Sequence, residues 1–231
     1  MGDDSQHDLL AKPIWYALTG AHIGLGVLGD GVAHYDPLVS PFVATRDDSS
    51  EQLAALAPMI DSGAQVLFLQ AHLPALPPGF SFVSRRTGVQ MVYAADPPPA
   101  PHVLDIVPLG RGDAPDMLSL ATLTAPGPFA ARTSEIGRFW GVRRQNRLIA
   151  MAGERLRVGK WTEVSGICTH PDHRGQGFAA ALTAHVIREM LARGEQPFLH
   201  SYADNAGAIQ LYELLGFRFS RMMEAVALKR L

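Results

Sequence analysis

The chain has almost no cysteine. Its single one, Cys168, rules out an intramolecular disulfide, and a reducing cytoplasm is the natural home for such a chain. It also lacks a charge excess, with 20 lysines and arginines against 22 aspartates and glutamates. A nucleic-acid binder needs a concentrated basic face, so no nucleic-acid partner is expected. Lysine itself is scarce: Lys12, Lys160 and Lys229 are the only three, and arginine supplies the other basic residues. No apolar run reaches the ~20 residues that span a bilayer. The opening "MGDDSQHDLL" carries no basic-then-apolar leader. Neither membrane insertion nor secretion is expected.

What is present is a large apolar fraction, 47% of 231 residues, enough for a sizeable core. Proline is concentrated in "AADPPPAPH", residues 94–102. Such a run cannot be helix and is poor in a sheet interior. It reads as a stiff connector between an N-terminal α/β region, 1–98, and a second unit, 102–231.

Before the connector, "SSEQLAALAPMIDSG" reads as a helix capped by Ser49 or Ser50, with an apolar stripe of Leu53, Leu56, Ala57 and Ile60. "AQVLFLQA" and "GVQMVYAA" read as short buried strands. "LTGAHIGLGVLGDGVAHY" reads as loops or a glycine-broken helix, because it lacks the spacing of a dinucleotide-binding turn. After the connector, "HVLDIVPLG" is a strand. "DAPDMLSLATLT" is a helix with Asp113 at its N-cap and Pro115 in its first turn. A strand, a Gln145-Asn146 turn and two more strands follow, the last being "TEVSGICTH". "GFAAALTAHVIREMLARG" is a helix with Phe178, Leu182, Val186 and Met190 on one stripe and Gly194 as its stop. "PFLHSY" is a strand, "NAGAIQLYELLG" a helix, and "FRFSRMMEAVALKRL" one or two strands. The order predicts a mixed sheet covered by helices, an α/β (α+β) class.

The stretch "HPDHRGQGFAAAL", residues 170–182, joins a strand to a helix. Arg174, Gly175, Gln176, Gly177, Phe178 and Ala179 spell Arg-x-x-Gly-x-Ala. A helix start offers free N–H groups and partial positive charge, so a phosphate can sit there. The glycines let the backbone take positive φ, and Arg174 adds a cation. A plain glycine turn fits the same residues. His170 and His173 make a poor metal pair, because Pro171 breaks the helix that would align them. They read as solvent-facing turn residues, and no metal is expected.

Together, "EVSGICTHPDHRGQGFAAALTAHVI" and "FLHSYADNAGAIQLYELLGF" resemble the GNAT superfamily of acyl-CoA-dependent N-acyltransferases. The first is similar to that family's acyl-CoA signature, the second to its Asn…Ala…Leu-Tyr…Gly-Phe ending. The resemblance spans roughly residues 103–229. An extra region before such a domain is similar to the glycine N-acyltransferase-like branch, whose first half is a degenerate copy of the fold.

The resemblance implies a GNAT-like sheet with splayed central strands and acetyl-CoA as donor. It implies that Arg174, Gly175, Gln176, Gly177, Phe178, Ala179 and Ala180 hold the CoA pyrophosphate. Ile167, Cys168 and Thr169 would pair with the pantetheine amides. Asn205 would reach the pantetheine arm, and Tyr212 would lie near the sulfur and protonate the leaving thiolate. Glu163 would be the base that deprotonates the amine, unless it forms an ion pair with Arg155 or Arg157. Glu154 and His200 are the reserves. Glu163, Ser165 and Ile167 share a strand face unless a bulge near Gly166 resets the alternation. Cys168 reads as a buried small residue rather than a nucleophile. "TAPGPFAART", residues 124–133, would wall the acceptor pocket, with Phe129 and Arg132 as candidate contacts. The expected activity is N-acetyl transfer to a primary amine, on a small molecule or amino acid. A protein or peptide acetyltransferase, or a non-catalytic acyl-CoA-binding interaction protein, remain the alternatives. A homodimer stays open.

Overall fold

A computed structural model describes residues 8–98 and 105–231. The end of the proline run and the start of the strand expected from residue 102 lie outside these residues.

The N-terminal part begins with α1 (Pro13–Leu18), a short helix with Pro13 in its first turn. The glycine-rich stretch after it, expected as loops or a broken helix, instead forms β1 (Gly26–Leu28) and β2 (Val32–Tyr35). These pair with β3 (Val43–Thr45) into a small three-stranded antiparallel sheet. The helix α2 (Ser50–Ala55) follows. Ser49 caps it, its side chain accepting from Gln52 N–H at 3.4 Å. Then come β4 (Gln65–Gln70) and a long β5 (Phe80–Tyr93).

The second part supplies β6 (Ile106–Leu109), α3 (Ala114–Thr124), β7 (Phe139–Arg144), β8 (Arg147–Val158) and β9 (Trp161–Thr169). It continues with α4 (Phe178–Ala192), β10 (Gln196–Tyr202), α5 (Ala206–Leu214) and a single long β11 (Phe217–Arg230). Gln145 and Asn146 both take positive φ, 48° and 62°, closing the β7–β8 hairpin as the sequence expects.

Eight strands make one mixed sheet in the order β4-β11-β5-β10-β9-β8-β7-β6. Every neighbour pair is antiparallel except β10 with β9. The connector does not separate two sheets. β5, from before the proline run, lies between β10 and β11, from after it.

Two cores hold the layers together. On one face Phe178, Leu182, Val186 and Met190 of α4 pack on Ile149, Val164 and Leu199. Each such buried side chain contributes about 1.5–3 kcal/mol of transfer free energy. On the other face Leu10, just ahead of α1, Ile14 and Leu18 of α1, and Met117 and Leu120 of α3 pack on Met151, Leu156 and Val158. A third cluster joins Leu53 and Leu56 to Phe68 and Val226.

The parallel pair that places the site is short. β9 and β10 are matched only at Trp161–Gln196, Thr162–Pro197 and Glu163–Phe198. Beyond these the two strands splay. A bulge at Gly166, φ +63°, shifts the β8–β9 register between Ser165 and Cys168. It resets the alternation: Ile167 packs on the α4 side, and Cys168 joins Glu163's side of the sheet.

Candidate active site

Where β9 and β10 part, a cavity of about 460 Å³ opens. Its walls include Ile167, Cys168 and Thr169 of β9, the turn Arg174–Ala180, and Asn205 and Tyr212 at α5. Thus the structure gathers every residue expected at the acyl donor around one space. Thr124, Ala125, Pro126, His173, Tyr202, Ala208 and Leu211 complete the lining.

The cradle is a helix start with nothing else to satisfy it. Gly177 occupies the N-cap of α4 at φ +79°, and no side chain caps the helix. The first N–H groups of a helix have no acceptor within it, so they remain available to an anion. Gly175 also takes positive φ, +74°. Arg174 is exposed and reaches back toward the Thr169 carbonyl at 3.5 Å. Asn205 is the N-cap of α5, its Oδ1 accepting from Ala208 N–H at 3.3 Å. Burial pushes the Tyr212 hydroxyl up to about 12, so it stays protonated at neutral pH. Burial likewise pushes the Cys168 thiol up to about 11, against hydrogen bonds from Thr124 and the Met151 backbone. A thiol so placed is a poor nucleophile.

Glu163 does not line this cavity. It is 0% exposed. Arg155 holds it through Nε–Oε2 at 2.8 Å and Nη2–Oε1 at 2.6 Å, and His200 Nδ1 lies 2.6 Å from Oε1. Of the two readings of Glu163, the ion pair with Arg155 is the one the side chains form. Burial alone would raise its carboxyl, but the charges and hydrogen bonds of Arg155 and His200 outweigh burial and hold it down to about 2. Such a carboxylate does not take a proton directly from an amine. Glu154 is also buried, paired with Arg193 away from the cavity.

His200 lines a second, smaller cavity of about 90 Å³. With Nδ1–H donating to Glu163, its Nε2 keeps a lone pair, which accepts from Gln90 Nε2 at 2.9 Å. Gln90 also donates to the Leu10 carbonyl at 2.9 Å. Pro126 and Tyr202 stand between the two cavities and line both. The Arg86 guanidinium covers the Tyr202 ring at 3.4 Å and binds Asp204.

The segment 124–133 walls these spaces only in its first half. Phe129 packs edge-on to Phe139 at 5.8 Å and lines a narrow slot beside Arg155. Arg132 is held by Asp36 and Glu135 and lines neither cavity. His170, expected to face solvent, is 8% exposed: its Nδ1 accepts from Asp172 N–H and its Nε2 lies 2.8 Å from Arg147. Gln90, which meets His200, and Phe42, Leu67, Leu69 and Gly88, which line the second cavity, lie before the proline run, in no recognisable motif. The one signal was a glutamine set inside the apolar strand "GVQMVYAA".

Comparison with known proteins follows the same geometry. A family model described as FR47-like protein matches residues 139–226. Among solved structures, a GNAT-family protein from Novosphingobium aromaticivorans DSM 12444 is 42% identical, with a TM-score of 0.88 over 96% of this chain and 98% of that one. A GCN5-related N-acetyltransferase from Kribbella flavida is 16% identical, with a TM-score of 0.64 over 96% and 95%. A GCN5-related N-acetyltransferase-like protein from Streptococcus suis 89/1591 is 17% identical, with a TM-score of 0.59 over 99% of both chains. The last two share the fold. No curated protein sequence matches the chain.

Proposed function

Because the chain belongs to the GNAT family of acyltransferases, we propose that it moves an acetyl group from acetyl-CoA to the primary amine of a small molecule or amino acid. One observation carries this reading: all twelve residues expected to hold the donor line a single cavity at an uncapped helix start. The pyrophosphate would lie on the N–H groups of Gly175–Ala180 with Arg174 beside it. The pantetheine would lie along the edge of β9 beyond Glu163, which has no strand partner there. A free strand edge has N–H and C=O groups to offer.

The amine arrives as an ammonium and must lose a proton before attack. His200 is the acceptor of that proton, through Nε2. Glu163 acts through it, fixing the tautomer and stabilising the imidazolium. The amine displaces Gln90 from the Nε2 lone pair. The nitrogen then bonds to the thioester carbonyl carbon, and a β9 N–H stabilises the oxyanion. The C–S bond breaks as the amide forms. The sulfur leaves as thiolate and the nitrogen gives up its second proton. Overall one ammonium and one thioester yield one amide, one thiol and one proton. A tyrosine near 12 is a weaker acid than a thiol near ~8.5. Tyr212 therefore supports the departing sulfur as a hydrogen-bond donor and keeps its own proton, and the thiolate takes up the second proton that the nitrogen releases.

Calorimetric titration with acetyl-CoA, and separately with free CoA, tests the donor site. Saturable binding of both is the expected result. No binding at high ligand concentration would remove the acyl-CoA reading.

A further inference from the structure

The second cavity has a chemistry that the donor site does not predict. Phe42, Leu67, Leu69, Met223 and Ala225 make most of its wall apolar. Its polar side chains are those of Arg155, His200, Ser201 and Tyr202, and among the described residues no carboxylate lines it. Glu163, which touches two of these side chains, is fully buried and committed to Arg155 and His200. An ammonium beyond the reacting one would find no counter-ion, and buried charge is tolerated only when paired. One face of the Tyr202 ring is already taken by a cation, the Arg86 guanidinium at 3.4 Å.

The guanidinium that is present favours an anion. Arg155 spends Nε and Nη2 on Glu163. Its Nη1 takes no part in that pair and can meet a carboxylate. The size of the space sets a second limit. An engineered cavity of roughly 150 Å³ takes a benzene ring, so about 90 Å³ takes a shorter, aliphatic branch.

We propose that the acceptor is an α-amino acid with a small apolar side chain. Its carboxylate meets Arg155, its side chain fills the apolar cavity, and its amine faces His200 and the thioester past Pro126 and Tyr202. The proposal rests on the acyltransferase reading above.

The test measures thiol release from acetyl-CoA with L-leucine, L-valine, leucinamide, isoamylamine, spermidine and a lysine-containing peptide. Leucine or valine should exceed leucinamide and isoamylamine in kcat/KM by roughly tenfold or more, the loss expected for one charge-assisted contact. Spermidine and the peptide should stay near background. Equal or better turnover of the amide, the amine, the polyamine or the peptide overturns the assignment. Arg155→Met risks the fold by stranding Glu163, so Ala225→Met supplies a second reading. It should raise KM for leucine roughly tenfold, leave acetyl-CoA affinity unchanged and move preference toward L-alanine. An unaltered leucine KM counts against the pocket. Acetyl-CoA binding measured on the same protein separates the two failures. Binding without release from any apolar amino acid overturns the acceptor class alone, whereas absent binding overturns the donor reading beneath it.

Discussion

His22 shows how one side chain links the N-terminal region to the site. It is 4% exposed, and its Nδ1 lies 2.8 Å from the Tyr35 hydroxyl. Burial, with Arg157 adding to it and Glu163 opposing it, holds its pKa down to about 4 from an ordinary 6.5. The unfolded chain takes up a proton near 6.5 that the folded chain refuses until about 4. The stability due to neutral His22 is therefore complete above 6.5 and lost as pH falls toward 4. Glu163, depressed from 4.5 to about 2, gives a separate loss lower down, between those values. His22→Gln should flatten the Tm-against-pH slope between 6.5 and 4 and leave the lower limb alone; an unchanged slope would place the titration on another group. At the site itself, Tyr212→Phe should lower kcat by roughly 10²-fold, the low end for one lost hydrogen-bond donor to developing charge, with acetyl-CoA affinity retained. Full activity would end that role. The residues proposed for the donor cradle could be picked out together because a glycine turn at a helix start is a local pattern, and the structure brings them to one cavity. The partners of Glu163 were half legible. Arg155 stands eight positions away and His200 was a reserve, but Gln90 needed the fold to bring it there.

At the level of elements, the start of α4 carries the most. An added Cβ at Gly177 meets nothing within 4 Å. The cost of Gly177→Ala is thus backbone strain alone, about 1–2 kcal/mol, read as a lower chemical-denaturation midpoint. The same strain should weaken CoA binding by tilting the cradle. Arg174→Glu places a like charge beside the pyrophosphate and should weaken acetyl-CoA binding by roughly tenfold at low salt. Because Arg174 is exposed, the loss should shrink as salt is added. A salt-independent loss would mean that the residue shapes the turn rather than the field. Helices and strands of the second part were legible from their periodicity. The hairpin of β1 and β2 was not, since strands of three and four residues are made by pairing rather than propensity. β5 was read at only half its length, because its first half, "FSFVSRRT", is largely exposed and shows no clean alternation.

For the whole molecule, the sheet decides how many cooperative units there are. The proline run marks a boundary in composition, yet β5 is paired on both edges with strands from beyond it. Pairing between residues 80–93 and residues 196–230 leaves no local trace in the sequence, so the shared sheet was not legible. Calorimetric unfolding of the full chain should show one transition with matching van't Hoff and calorimetric enthalpies. Two resolved transitions would restore two independent units. The placement of β5 also bears on biosynthesis. A ribosome completes β5 more than a hundred residues before it makes β10, and makes β11 last of all. Until then, β5 is an orphan strand whose inner half, Val89–Tyr93, is apolar and unprotected. An unpaired apolar strand of this kind is the sort of surface on which nascent chains aggregate and chaperones act. A stop codon that removes only β11 would leave both β4 and β5 without their shared neighbour, so the loss of the last fourteen-residue strand should be felt first in the part of the protein made earliest.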